Sequence, residues 1–128
     1  MKAKLILLCL FCTLVWGCKK DDSLTRTPTF NITNNSSGIV KQVDIKLAYG
    51  VGRIHVSTLT NLDISETETT KINLSSFDIE KGDAGYFILV TLADDKKIEK
   101  SFGYITNGVD VDTRPYNVEI SNSEVILK

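Results

Sequence analysis

Beyond the first quarter of the chain, apolar side chains repeat at every second residue. Val43, Ile45 and Leu47, for example, alternate with Asp44 and Lys46. A repeat of two residues places the apolar side chains on one face of a β-strand. No window carries a helical apolar stripe longer than two turns, so the alternation predicts an all-β fold.

Seven or eight short strands are expected from this pattern and from the turn residues between them. Asn107-Gly108 is the clearest turn signal, and Asp94-Asp95 predicts a tight hairpin after the most apolar stretch. The threonine-rich stretch 65–74 suits an edge strand, because β-branched residues favour a pleated surface and its charges discourage pairing with other molecules. The other candidate stretches are 30–32, 43–49, 54–56, 86–92, 96–105, 109–111, 116–120 and 125–127.

This many strands in one small domain favour a sandwich of two antiparallel sheets, with an immunoglobulin-like arrangement. The resemblance to immunoglobulin-like domains is one of architecture, since residues 29–128 lack the cysteine pair and the core tryptophan of antibody domains. Residues 76–84 are expected to cross between the sheets, with Phe77 and Ile79 closing the end of the core. A small β-barrel is the alternative fold.

The register of one strand is open to two interpretations. Ile98, Phe102 and Tyr104 share one face, but Lys100 lies in the same alternation. Either Lys100 lies beyond the edge of the core, or a β-bulge before Phe102 shifts the register.

The first residues have the composition of an export signal. Lys2 and Lys4 give a positive start, and residues 5–16 form an almost unbroken apolar run. A helix of that length rises about 18 Å, whereas the apolar core of a bilayer is about 30 Å thick. The run is therefore too short to span a membrane, and it has the length of the apolar region of a signal peptide.

The end of this run resembles the lipobox of bacterial lipoproteins. Val15, Gly17 and Cys18 match the apolar residue, the small residue before the cleavage point and the lipid-accepting cysteine, while Trp16 departs from the usual small residue. The resemblance implies a signal peptide at 1–17 and a mature chain with lipid on the sulfur of Cys18. Lipoproteins carry several acyl chains, which fits the physical requirement, because one chain holds a protein only marginally.

Residues 18–28 are expected to form a lipidated, flexible tether ahead of a domain at 29–128. The run Lys19-Lys20-Asp21-Asp22 resembles the charged signal that sends some gram-negative lipoproteins to the outer face of the outer membrane. This resemblance implies display on the cell surface, and a periplasm-facing domain is the alternative. Asp22-Ser23-Leu24 also resembles a sequon for O-glycosylation in some of these bacteria, which makes Ser23 a candidate modification site.

Cysteine usage and charge exclude several classes of protein. Cys9 and Cys12 leave with the signal peptide, so the mature chain keeps Cys18 alone and has no internal disulfide. The whole chain has 15 basic and 16 acidic residues, and Lys2 and Lys4 leave with the signal peptide as well. A mildly acidic domain lacks the clustered lysine and arginine that nucleic acid requires, so no nucleic-acid partner is expected.

The mature chain lacks the residues for the common kinds of catalysis. His55 is its one histidine, and the alternation puts it on the polar side of a strand, where a solvated side chain is expected. A serine or cysteine nucleophile needs a base within hydrogen-bonding reach, and zinc usually needs three or four histidine or cysteine ligands. We therefore expect no enzyme activity, no cofactor and no metal centre.

Acidic loops are the other candidates for ion binding. Asp78, Glu80 and Asp83 lie in one loop, and Asp110 and Asp112 lie in another. Oxygen-rich loops can bind calcium, but neither segment matches the calcium-loop pattern. These carboxylates are expected to be solvated.

One surface is a candidate partner site. If Tyr86 and Ile88 face the core, Phe87 and Leu89 lie on the opposite face of the strand. A sheet with two apolar faces needs cover on both sides. Either a loop or the chain end covers Phe87 and Leu89, or they form an exposed apolar patch that binds a partner.

The sequence thus predicts a non-enzymatic binding or accessory lipoprotein, tethered to the outer membrane through its lipid. Its partner would be another envelope protein, a host protein or a glycan. An envelope inhibitor or immunity protein that blocks an enzyme or a toxin is the alternative. A small hydrolase is a third hypothesis, and it would depend on His55 or on the acidic loops.

Overall fold

The computed structural model describes residues 25–79 and 82–128. These residues form nine β-strands in two sheets and one short 3-10 turn at Leu74–Ser76. The strands are β1 (Thr29–Asn34), β2 (Val40–Tyr49), β3 (Gly52–Leu62), β4 (Thr67–Lys71), β5 (Asp83–Leu92), β6 (Lys97–Thr106), β7 (Val109–Asp110), β8 (Tyr116–Ile120) and β9 (Val125–Leu127).

The prediction of an all-β sandwich is confirmed. The four-stranded sheet has the order β4-β1-β8-β9, and the five-stranded sheet has the order β3-β2-β5-β6-β7. β1 runs parallel to β8, whereas the other paired strands are antiparallel. The structure has nine strands where the sequence predicted seven or eight, and each of the nine lies at one of the candidate stretches, the three short ones at the end included.

The core lies between the inner faces of the two sheets, as the alternation predicts. β1 contributes Phe30 and Ile32 from one sheet, and β2 and β5 face them from the other. Burial of each such side chain contributes about 1.5–3 kcal/mol. Fully buried side chains from β2 and β5 are Val43, Ile45, Leu47, Tyr86, Ile88 and Val90.

The crossing between the sheets also follows the prediction. β4 is an edge strand of the four-stranded sheet, and the chain after it crosses to β5 in the five-stranded sheet. In this crossing Ile79 is fully buried and Phe77 packs half-buried against the core. The facing edges of β3 and β4 meet through side chains, with 3.3 Å between the hydroxyl oxygens of Ser57 and Thr70.

β6 contains a bulge that the alternation did not locate. Tyr86 pairs with Phe102 and Ala84 pairs with Ile105, so a step of three residues on β6 faces a step of two on β5. Gly103 and Tyr104 on β6 thus lie opposite one residue of β5. Gly103 has a left-handed backbone conformation, with φ +71°. The bulge therefore lies after Phe102, not before it.

The bulge reverses the predicted face of the residues that follow it. Tyr104 is 46% exposed, whereas Ile105 is fully buried. Asp110 of β7 pairs with Ile105 and is likewise buried, whereas Val111, which follows β7, is exposed. Lys100 precedes the bulge and is exposed at the edge of the sheet, although its register partner on β5 is the buried Ile88.

Candidate functional site

The segment ahead of β1 is hydrogen-bonded to both sheets. Thr25 and Asp110 exchange two backbone hydrogen bonds, of 2.9 and 2.7 Å. The carbonyl oxygens of Arg26 and Pro28 accept from the N–H groups of Leu74 and Ile72, which follow β4. We refer to residues 25–28 as the strap and to the end of the sandwich that it joins as the tether end. These residues, expected to belong to a flexible tether, are thus bound to the domain.

A cleft opens at the opposite end, which we call the distal end. Three loops form it: the loop after β1, the β5–β6 turn and the β8–β9 turn. Its volume is about 340 Å³. Its lining is apolar at Gly38, Leu92 and Ala93, and the polar lining residues, which we call the rim, are Ser36, Ser37, Asp94, Lys96 and Asn122. Apolar contact together with several polar groups can hold a ligand in a chosen orientation.

Asn34 fixes the first of the three loops. Its side chain is fully buried, and its Nδ2 donates to the carbonyl oxygens of Gly38 and Leu62, both at 2.9 Å. Its Oδ1 accepts from the N–H of Ser36 at 2.9 Å and from the hydroxyl of Ser36 at 2.6 Å. This one amide therefore holds the loop after β1 in shape.

The rim residues tie the other two loops to the first. Lys96 Nζ donates to the carbonyl oxygen of Asn122 at 2.9 Å, which uses one of its three N–H groups. Asn122 Oδ1 accepts from both the N–H and the hydroxyl of Ser37, at 2.8 and 3.0 Å. A ligand in the cleft would therefore meet loops that are already cross-linked by hydrogen bonds, which lowers the entropy cost of binding.

His55 lies on the exposed face of β3, as predicted, and within reach of a hydroxyl. Thr58 Oγ1 is 3.2 Å from His55 Nε2 and donates to Asp44 Oδ1 at 2.7 Å. A hydroxyl has one proton, so His55 Nε2 must be the donor in its contact with Thr58. General-base activation needs the opposite direction, with the imidazole accepting from the hydroxyl. With hydrogen bonds in these directions, His55 does not activate the Thr58 hydroxyl as a nucleophile.

Asp110 was expected to be solvated, and that expectation is wrong. Its side chain has no exposed surface, and its carboxylate accepts from the hydroxyl of Tyr86 at 2.5 Å and from the hydroxyl of Tyr116 at 3.0 Å. The N–H of Asp112 donates to the same carboxylate at 2.9 Å. The donors that a buried carboxylate requires thus come from the domain itself.

Burial raises the pKa of the Tyr86 phenol far above its usual value, and the hydrogen bond to Asp110 raises it further. Burial and the charge of Asp110 raise the pKa of Tyr116 in the same direction. Both phenols therefore remain protonated donors at neutral pH. The ring of Phe30 holds them in place, with its centroid 4.9 Å from that of Tyr86 and 5.2 Å from that of Tyr116.

The remaining acidic residues are dispersed. Asp112 pairs with Arg114 at 3.3 Å, and hydrogen bonds from Arg114 lower the pKa of Asp112. Asp78 and Asp83 are exposed, and Glu80 of the same predicted loop lies outside the described residues. Within residues 25–79 and 82–128, no three histidine, cysteine or acidic side chains are grouped as a metal site would require.

Phe87 and Leu89 lie on the outer face of the five-stranded sheet. Phe87 is only 3% exposed, because the Arg53 guanidinium lies 3.4 Å from its ring centroid. Leu89 is half-buried, between Asp44 of β2 and Glu99 of β6. A partner at this face would meet Arg53 before it met the Phe87 ring. Arg53 thus lies over the Phe87 ring, and the predicted partner patch of Phe87 and Leu89 stays a prediction.

Other predicted sites fall outside the described part of the chain. These are the signal peptide at 1–17, the lipid-accepting Cys18, the run Lys19-Lys20-Asp21-Asp22 and the candidate glycosylation site Ser23. In the part that the structure does describe, no helix is long and apolar enough to cross a bilayer.

The sequence contained a signal for one of the buried polar groups. Asn34 is in phase with Phe30 and Ile32, so the alternation points its side chain into the core. Asp110 had no such signal, because its burial depends on the bulge in β6.

Comparisons with known proteins bear on the fold. No protein-family model matches the chain, and no curated protein sequence matches it. Among solved structures, the chain is similar to the NMR structure of a protein from Eubacterium rectale, with a TM-score of 0.50 and 15% sequence identity. The similarity covers 87% of this chain and 94% of that chain. At this level of identity it shows a shared fold alone.

Proposed function

We propose that this chain is a lipid-anchored, non-enzymatic binding or accessory protein of the outer membrane, and that it meets its partner at the distal end. The anchor rests on the likeness of Val15-Trp16-Gly17-Cys18 to a lipobox. Display on the cell surface rests on the charged run that follows Cys18. The position of the strap relative to the cleft is the observation that carries the binding role.

The strap and the cleft lie at opposite ends of the same strands. β2 begins beside the cleft and runs for ten residues to the tether end. A strand rises about 3.3 Å per residue, so the cleft lies on the order of 30 Å from the point where the tether joins. A domain anchored through the strap would therefore present its cleft away from the membrane, toward an envelope protein, a host protein or a glycan.

The anchor is tested by metabolic labelling with palmitate. The full-length chain and a Cys12→Ala variant should incorporate the label and remain with the membranes. Cys18→Ala should incorporate none. An unlabelled full-length chain would refute the anchor, and Cys12→Ala controls for the loss of a cysteine within the signal peptide.

The side of the membrane is tested with a protease that cannot cross the outer membrane. Digestion of the domain on intact cells would support surface display. Protection on intact cells, followed by digestion after lysis, would support the periplasm-facing alternative.

The role of the distal end is tested by site-specific photocrosslinking in cells. A photoreactive residue at Ser123, which is exposed beside the cleft, should give an adduct with the partner. The same residue at Val51, which is fully exposed in the β2–β3 turn at the tether end, should give none. An adduct from position 51 without one from position 123 would contradict the proposed binding end.

A further inference from the structure

In the described residues the two sheets leave four edges, and three of them carry protection against an added strand. β9 and β7 are only three and two residues long. β4 has five residues, of which Glu68 and Lys71 are charged. The part of β6 that β7 leaves open carries Lys97, Glu99 and Lys100. Short edge strands and charged side chains are usual means by which proteins prevent unwanted strand pairing.

The edge of β3 lacks this protection. β3 runs for eleven residues, Gly52–Leu62, and pairs with β2 on one side. Residues 56–62 carry no charge, and the whole strand has no proline. No strand within residues 25–79 and 82–128 exchanges backbone hydrogen bonds with its other side. An open row of backbone N–H and C=O groups is a template for one kind of occupant, an extended polypeptide.

The register shows which backbone groups of β3 are open. Tyr49 and Gly52 flank a two-residue turn and face each other, so they form a hydrogen-bonded pair. From there, hydrogen-bonded pairs alternate with pairs whose N–H and C=O groups point away from the partner strand. The bulge at Val56 moves this alternation along by one residue in the second half of β3. The residues with open groups are Arg53, His55, Thr58 and Thr60, and their side chains are exposed.

The charged side chains around this edge differ in sign between its two ends. Toward the tether end the charges on and beside β3 are basic: Lys46, Arg53 and Lys71. Toward the distal end they are acidic: Asp44, Asp63, Glu66 and Glu68. A strand added to β3 is therefore favoured when its basic residues lie toward the distal end.

Glu68 is the acidic residue on the core side of this edge. It pairs with Ile32, whose side chain is fully buried, so both residues lie on the inner face of their sheet. The hydroxyl oxygens of Ser57 and Thr70 are 3.3 Å apart. From that contact β3 runs toward the distal end and β4 runs away from it, so Glu68 lies level with Leu59. Glu68 is half-buried, and no cation of the described residues forms an ion pair with it. An added cation would stabilise this partly desolvated carboxylate.

We propose that β3 binds an extended segment of a partner protein as an added strand, and that a basic residue of this segment faces Glu68. Backbone hydrogen bonds supply the affinity of such a complex, and the inward side chains supply its selectivity. A second copy of this chain fits less well. Two-fold pairing of β3 with itself would bring the Glu68 of each copy toward that of the other, and the inner face of β3 offers no cation to either. The edge is distinct from the distal cleft and depends on neither the cleft nor the lipid anchor.

The test uses two labelled ten-residue peptides in which threonine and valine alternate. One central valine is replaced by lysine in the first peptide and by glutamate in the second. Fluorescence anisotropy with the full-length chain in a neutral detergent measures binding. The lysine peptide should bind about fivefold more tightly than the glutamate peptide, which is within the range of a partly exposed ion pair. Failure of both peptides to bind, or equal binding of the two, would overturn the proposal.

A pair of variants at Thr60 tests the open backbone. Thr60→Pro removes an N–H that points away from β2 and leaves the hydrogen bonds to β2 in place. It should weaken binding of the lysine peptide about tenfold, since it removes one main-chain hydrogen bond and obstructs the edge. Thr60→Ala loses the same side chain but keeps the N–H, and it should bind like the parent. Equal binding by Thr60→Pro and Thr60→Ala would show that the peptides do not pair with β3.

A charge reversal tests the role of Glu68. Glu68→Lys should invert the preference, so that the glutamate peptide binds more tightly than the lysine peptide. An unchanged preference in this variant would overturn the choice of a basic segment. Each variant must keep the urea-unfolding midpoint of the parent before binding is compared, and the Thr60 and Glu68 variants test the edge independently of one another.

The oligomeric state of the parent chain separates a partner segment from a second copy. Light scattering in the same detergent should show one chain per micelle, and a dimer that Thr60→Pro dissociates would assign the edge to a second copy and overturn the proposal. Palmitate labelling that succeeds while neither peptide binds would overturn this inference and leave the lipid-anchored function standing.

Discussion

Asp110 is a buried charged side chain that hydrogen bonds from its neighbours hold in place. Its carboxylate is fully buried and receives hydrogen bonds from two tyrosine hydroxyls and one backbone N–H. Hydrogen bonds to a charged group are worth about 1.5–3 kcal/mol each. The chain therefore depends on Tyr86 and Tyr116 for stability at a position where sequence reasoning expected a solvated acid.

Tyr86→Phe should lower the free energy of unfolding by about 2 kcal/mol, because a buried carboxylate then loses one donor. Urea unfolding followed by circular dichroism measures this loss. Tyr104→Phe is the matched control, since Tyr104 is 46% exposed and its change should stay within about 0.5 kcal/mol. Equal losses for the two variants would show that the Tyr86 hydroxyl does not stabilise the fold.

Stability should also fall at high pH. The pKa of Tyr86 is raised in the folded state, so above the usual tyrosine pKa of about 10 the unfolded chain loses a proton that the folded chain keeps. This stabilising contribution is complete below pH 10 and declines above it, by about 1.4 kcal/mol per pH unit for Tyr86. Tyr116 adds less, because it is partly exposed and solvent screens it.

Urea midpoints measured between pH 8 and 11 test this dependence. The double variant Tyr86→Phe/Tyr116→Phe should be less stable than the parent at pH 8. Its free energy of unfolding should then fall less steeply than that of the parent as the pH rises. A double variant that declines as steeply as the parent would assign the effect to other groups.

In the β6–β7 hairpin a single bulge decides which side chains face the core. The extra residue at the bulge turns Ile105 and Asp110 inward, and Gly103 makes the bulge possible. A Cβ on Gly103 would lie 2.6 Å from Cδ2 of the Tyr86 ring, and the backbone there has φ +71°.

Gly103→Ala should therefore lower the free energy of unfolding by more than the strain of a left-handed backbone alone would. Gly50→Ala is the control, because Gly50 has φ +57° and nothing lies within 4 Å of its Cβ position. The control should lose about 1 kcal/mol from the backbone conformation. Gly103→Ala should lose at least about twice as much, and similar losses in thermal unfolding would mean that the Tyr86 ring moves aside easily.

Lys100 protects the exposed edge of β6. Lys100 pairs with the buried Ile88 of β5 and is therefore on the core side of the sheet, yet its side chain is exposed. An inward-pointing charge on an edge strand opposes pairing with another copy. Lys100→Val should produce dimers or larger species in light scattering, whereas Ser101→Val, on the other face of the same strand, should remain monomeric. Identical behaviour of the two variants would contradict this role.

Most strands could be predicted because burial on one face of a strand imposes a repeat of two residues. The apolar residues Val43, Ile45 and Leu47 show that repeat in the sequence. A bulge in β6 was one of two predicted interpretations, but its position after Phe102 could not be predicted, because it depends on how β6 pairs with β5 around Tyr86. The distal cleft could not be predicted either, since it forms where three loops distant in sequence meet. The outward position of Asn31, Thr69 and Asn117 follows from alternation, but the hydrogen bonds among them depend on the register of three strands.

For the molecule as a whole, the strap connects the two sheets at one end while the loops around Asn34 connect them at the other. The strap supplies four backbone hydrogen bonds, two with Asp110 and one each with Leu74 and Ile72. Each such bond contributes about 0.5–1.5 kcal/mol. The strap is therefore hydrogen-bonded to the folded part of the chain that the structure describes.

A chain shortened to begin at Thr29 should lose at least about 2 kcal/mol of unfolding free energy relative to one that begins at Thr25. Chemical denaturation of the two shortened chains measures the difference. A chain that begins at Leu24 and carries Thr25→Pro, whose nitrogen in the peptide bond has no N–H to donate to Asp110, should lie between them. Equal stability of all three would show that the strap rests on the domain without stabilising it.

The position of β1 has a mechanical consequence for a protein held by its N-terminal side. β1 follows the strap directly and lies between β4 and β8, with hydrogen bonds to both. A pull on the strap acts along β1, across the direction of those hydrogen bonds. The load is then shared by two ladders in shear, whereas a terminal edge strand could be peeled away one bond at a time. Tension applied from the N-terminal side would thus be resisted first by an inner strand of the four-stranded sheet.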